Sequence, residues 1–170
     1  MPDKFQLIMM FQSRGVCCVN IVSEGRQNNA KYSYIYNPQW PESGSGSANM
    51  EYEITWQPDT CFLRLEFLNL NMTEKSGNCV HDRLTVLGGK EKSGNLCGDR
   101  SGEVILVSPD KSRSNAKIIL MMQSEKWSYN IGVAQVSCAD VEKMRMTYTQ
   151  DYAECGKKNP RFLYSINIAV

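Results

Sequence analysis

Residues 73–86 read TEKSGNCVHDRLTV, and this stretch decides between an enzyme, a metal protein and a cross-linked scaffold. It holds the chain's single histidine, His81, with Asp82 beside it, Cys79 just before it and Glu74 near its start. Neighbours on an extended strand point to opposite faces, so His81 and Asp82 do not form a dyad if the stretch is extended. A catalytic imidazole takes its orienting carboxylate within hydrogen-bond reach, usually from a distant part of the fold. The end of the stretch favours extension, because RLTVL (83–87) alternates Leu84 and Val86 with polar residues.

Working outward, the same period of two recurs. EYEITW (51–56) sets Tyr52, Ile54 and Trp56 against Glu51, Glu53 and Thr55. CFLRLEFL (61–68) puts Cys61, Leu63, Leu65 and Phe67 on one face and Arg64 and Glu66 on the other. EVILV (103–107), AKIILMM (116–122) and IGVAQVSC (131–138) are further short apolar runs rich in β-formers. Between them lie PESGSGSAN (41–49), EKSGN (74–78), GGKEKSGN (88–95), GDRSG (98–102) and SPDKSRSN (108–115), all with turn chemistry. Regularly spaced strands with such turns predict a β-sandwich. Residues 16–138 show no helical period, and the composition changes after Cys138. Residues 138–155 read as a short helical or irregular piece.

Composition narrows the function. Lys and Arg number 19 against 18 Asp and Glu, a net charge of +1, so no counterion-driven nucleic-acid binding is expected. No apolar run reaches the ~18 residues of a membrane span. The run KFQLIMMF (4–11) resembles a signal-peptide core but lacks a small-residue cleavage site after it; a buried strand is the alternative. Seven cysteines without CxxC spacing argue against zinc and for disulfides in an oxidising compartment. Asn71 opens an N-M-T glycosylation sequon, consistent with such a compartment. GDRSG has a faint look of a serine-nucleophile loop, but Arg100 intrudes before Ser101, and no carboxylate pair for glycoside hydrolysis stands out. The expectation is that the protein is not an enzyme. Trp40, Trp127 and Tyr129 fall in or near loops and read either as partner anchors or as caps on the core, whereas Trp56 reads as core.

Taken in order, these residues resemble a CUB domain, an extracellular antiparallel β-sandwich with disulfides. EKSGNCVHDRLTV is similar to the family pattern E-x4-C-x-Y-D-x-L-x-V/I. Glu74, Cys79, Asp82, Leu84 and Val86 fill its positions, and His81 stands where tyrosine is usual. LCG (96–98) and the closing NIGVAQVSC (130–138) fit the same order. GVCCV (15–19) and NNAKYSYIYNPQWP (28–41) are similar to secreted CUB proteins of arthropods.

The resemblance implies an all-β fold over residues 19–139, with 1–18 a truncated N-terminal segment and 140–170 a linker and the start of a further domain. It implies two disulfides, Cys79–Cys97 and Cys61–Cys138. It also implies the loss of the family's first disulfide, whose cysteines would fall near Glu24 and Met50. Cys17, Cys18 and Cys155 stay without assigned partners; a vicinal Cys17–Cys18 bond is one alternative. Many CUB domains hold calcium, and the resemblance points to Glu74, Asp82 and Glu125 as its ligands, although Glu125 stands where the family has aspartate. The other reading makes Glu74 a solvated turn residue and has Asp82 bond loop amides. The function implied is a secreted, non-catalytic module for an extracellular protein or glycan, with calcium as an optional aid. The alternative is a substrate-selecting module of a longer secreted protease.

Overall fold

The computed structural model describes residues 20–142 apart from Lys92. Residues 1–18, the run at 4–11, Cys17, Cys18, Cys155 and nearly all of 140–170 lie outside the described residues. The strands are β1 (Gln27–Asn28), β2 (Tyr32–Tyr36), β3 (Ala48–Thr55), β4 (Thr60–Asn71), β5 (Arg83–Leu87), β6 (Val104–Val107), β7 (Asn115–Met122) and β8 (Ser128–Ser137). They form two four-stranded sheets of order β1-β3-β7-β5 and β2-β8-β4-β6. Every pairing is antiparallel except β1 with β3.

The two sheets face each other because their alternating sequences give each one apolar face. Leu63, Leu65 and Phe67 of β4, Ile118 and Leu120 of β7 and Ile131 of β8 have no exposed surface. Burying each such side chain contributes about 1.5–3 kcal/mol. The phase of β4 changes twice. Irregularities in its pairing with β8 fall between Thr60 and Phe62 and between Phe67 and Asn69. An extra residue at each point turns the following side chains over. Thr60 is therefore buried and Cys61 only half-buried, a correction to the simple alternation that grouped Cys61 with Leu63. Past the second bulge Leu70 faces inward and Leu68 faces out.

Several polar side chains inside the sandwich pair with one another, while the Trp56 Nε1 and Asn130 Oδ1 atoms are buried without a hydrogen-bond partner. The Tyr52 and Tyr129 hydroxyls meet at 2.9 Å between the sheets, and burial raises both phenol pKa values. The Gln135 side chain accepts from the Gln57 amide at 2.8 Å and the Thr60 hydroxyl at 3.0 Å, and donates to the Thr55 carbonyl at 3.0 Å. A buried amide without such partners would cost about 1–3 kcal/mol.

Two disulfides tie the frame. Cys61–Cys138 joins the start of β4 to the end of β8 with Cα atoms 4.8 Å apart, and Cys79–Cys97 spans 5.4 Å. These are the pairs the family resemblance implies. Where that resemblance places a missing disulfide, the Gly25 amide donates to the Glu51 carbonyl at 3.1 Å.

Candidate binding loops anchored by Asp82

At one end of the sandwich β4 runs out at Asn71, which is exposed and accessible as a sequon. The chain then makes a tight hairpin, in which Lys75 and Asn78 exchange both backbone hydrogen bonds at 3.1 and 3.0 Å. Its two central residues, Ser76 and Gly77, have φ of 53° and 79°. Positive φ at both centres matches the right-handed twist of the flanking strands and favours glycine there. Cys79 follows and is bonded to Cys97. The 96–100 segment lies beside it: Leu84 and Leu96 exchange backbone bonds at 2.8 and 2.9 Å, and the Arg100 amide reaches the Leu70 carbonyl at 2.9 Å.

Asp82 sits just before β5 with no exposed surface. Its carboxylate accepts from the Thr73 amide at 2.8 Å, the Gln123 amide at 2.8 Å and the Ser124 amide at 3.0 Å. The Ser124 hydroxyl is the fourth donor. One buried side chain thus fastens the loop after β4 to the loop after β7. Burial alone would raise its pKa. The Ser124 hydroxyl and the amides of Gln123, Thr73 and Ser124 outweigh it and hold Asp82 below the ordinary aspartate value. Sequence reading reached Asp82 and the general class of its partners, but not Thr73, Gln123 or Ser124. The last two lie about forty positions away, and no local pattern marks them.

The other sequence candidates fall as follows. Glu74 is exposed, with its Oε2 against the Cα face of Gly98, where an added Cβ would come within 2.5 Å. Glu125 and His81 are exposed, as is Val80 at 55%. Trp127 and Tyr129 are buried and stacked at 6.1 Å, so they serve the core rather than a surface anchor. The Trp127 indole N–H donates to the Gly46 carbonyl at 3.0 Å, and its ring lies against Gly44. Ser101 is a turn residue whose Oγ accepts the Leu70 amide at 3.1 Å, while its hydroxyl and amide hold Asp99 low.

Calcium takes six to eight oxygens, mostly from carboxylates and carbonyls that are free to point at it. Asp82 already accepts four hydrogen bonds, and N–H and O–H donors occupy the directions an ion would need. Among the described residues no three His, Cys, Asp or Glu side chains are grouped to hold an ion, so Glu74, Asp82 and Glu125 are not brought together. As arranged, these residues do not fit calcium.

Comparison with known proteins agrees with the architecture. No curated protein matches the chain. Among solved structures, the CUB1-EGF-CUB2 domains of rat MASP-1 are 20% identical with a TM-score of 0.53, over 65% of this chain and 42% of that one. The full extracellular region of zebrafish Gpr126/Adgrg6 is 17% identical with a TM-score of 0.52, over 71% of this chain and 15% of that one. The chain therefore spans less than half the length of both. A MASP-1 CUB2 domain bound to Ca2+ is 18% identical with a TM-score of 0.54, over 66% of this chain and 99% of that one. At such identities the TM-scores show a shared fold and nothing more. The family model of the CUB domain matches residues 24–131, and with both sheets and both disulfides in place the chain belongs to the CUB domain family.

Proposed function

We propose that this CUB domain is a secreted, non-catalytic module that binds an extracellular protein or glycan through the loops fastened by Asp82. CUB domains are protein-binding modules of extracellular proteins, and no described helix is long and apolar enough to cross a membrane. The observation that carries the reading is the Asp82 bracket. It fixes two loops in one conformation while Val80, His81, Glu125 and Lys126 beside its anchor points stay exposed. Loops held rigid by a scaffold lose little entropy on binding, which is how such modules present contacts.

The bracket is made of hydrogen bonds, so binding should not depend on calcium. A glycan array and a panel of immobilised extracellular proteins, each probed with and without EDTA, test this. The expected result is a ligand retained in EDTA and weakened at least tenfold by Val80→Ser with His81→Ala. A ligand lost in EDTA supports the calcium-assisted alternative instead, and turnover in a fluorogenic hydrolase screen removes the non-catalytic reading. A second reading is suggested by the multidomain rat MASP-1 fragment: the chain serves as one module, for example the substrate-selecting one, of a longer secreted protease. A full-length transcript continuing into a protease domain favours it.

A further inference from the structure

The outward face of the β2-β8-β4-β6 sheet carries a second pattern, independent of the loops. Its residues lie in rungs set by the strand register. One rung runs Tyr32, Ala134, Arg64, Leu106 across the four strands. The next runs Tyr34, Gly132, Glu66, Val104. Their inward neighbours are the buried core residues, so these side chains face out. The flanks stay open: Tyr32 is 63% exposed, Tyr34 38%, Val104 42% and Leu106 41%. At the centre Arg64 and Glu66 form a half-exposed ion pair at 2.6 Å.

The two rungs match each other class by class: aromatic with aromatic, small with small, cation with anion, aliphatic with aliphatic. We propose that this face docks on the same face of a second copy of the chain, about a two-fold axis running between the rungs and across the strands. That rotation lays the first rung over the second rung of the partner. Arg64 then meets the partner's glutamate and Glu66 the partner's arginine, so the pair within each copy becomes a ring of four alternating charges. Tyrosines stack on tyrosines, Leu106 meets a valine, and the glycine–alanine strip lets the backbones approach. A two-fold interface must be complementary to itself, and this charge arrangement is. Stacked sheets keep their strands within about 30° of each other, which preserves the rung matching.

With strands about 4.8 Å apart and alternate residues about 6.8 Å apart, two to four rungs project on the order of 300–500 Å². This is below the ~800 Å² per partner of a standard interface, so the dimer belongs to the weak class.

Sedimentation equilibrium of the full chain with its thiols alkylated tests the proposal. The wild type should show a monomer–dimer equilibrium. Arg64→Glu and Glu66→Arg, each checked for folding by circular dichroism, should each raise the dissociation constant at least tenfold. Mixed in equal amounts, the two variants should pair with each other at close to wild-type affinity, because each supplies the charge the other lacks. That rescue separates an intermolecular contact from a structural role, since neither variant regains its internal ion pair. A wild type that stays monomeric at on the order of 1 mM, whether because another part of the chain covers the face or because its partner is a different molecule, overturns the proposal. So do single variants that dimerise as the wild type does, or a mixture no tighter than its components.

Discussion

At Asp82, location and charge state are one problem. A carboxylate with no exposed surface persists in its charged form only because four donors converge on it. Since its folded pKa lies below the unfolded value of about 3.9, its contribution to stability is complete above that value. It is lost as the pH falls through the folded pKa. Asp82→Asn keeps the shape but presents an NH2 group to donors, and at neutral pH it should cost roughly 1–3 kcal/mol in denaturant unfolding. The difference from wild type should narrow as the pH is lowered below about 4; a gap constant from neutral to acid pH would mean that the carboxylate charge is not what holds the loops. The residue itself was visible in the sequence through the motif around Cys79 and the phase of Leu84. Its partners were not, because they meet only when β5 and β7 pair.

At the scale of elements, alternation revealed β3, β4 and β5 because polar and apolar residues mark their two faces, while β6, β7 and β8 showed as short apolar runs rich in β-formers. It missed β2, where the pattern runs backwards: Tyr32 and Tyr34 face out, and Ser33 at 2% exposure faces in. It left Trp127 open between a partner anchor and a cap on the core; the residue sits in a turn-like stretch of sequence but is buried by a loop some eighty positions earlier. The 44–46 loop and the start of β8 are laced together: Gly44 and Trp127 exchange backbone bonds at 2.8 and 3.1 Å. A Cβ on Gly44 would come within 2.3 Å of the indole ring. That ring is held by its own hydrogen bond and by its stacking on Tyr129. Gly44→Ala should therefore destabilise the domain by about 1–3 kcal/mol, as overpacking does. The change should be accompanied by an altered tryptophan near-UV signal. A wild-type melting temperature in this variant would show that the loop moves freely over the ring.

For the whole molecule, the two-layer architecture was legible from strand and turn spacing, while the order of strands within each sheet was not. Order depends on pairings such as β3 with β7 and β4 with β8, which join segments far apart in sequence. The cross-links fit that topology. Cys61–Cys138 closes 77 residues into one loop across the β4–β8 pair, and Cys79–Cys97 lies inside it. This has a mechanical consequence. Tension applied at the end of β8 passes through the sulfur bridge into the start of β4 and does not peel β8 from the sheet. The 77 residue steps from Cys61 to Cys138 are withheld from extension even after the domain gives way. At 3.3–3.6 Å per residue they represent about 250 to 280 Å of hidden chain length. In single-molecule pulling, the length released on unfolding should grow by that amount when a reductant is added. Without it, unfolding extends only the chain outside the bridge, such as residues 20–60 with β1 to β3, while everything from Cys61 to Cys138 stays a closed link.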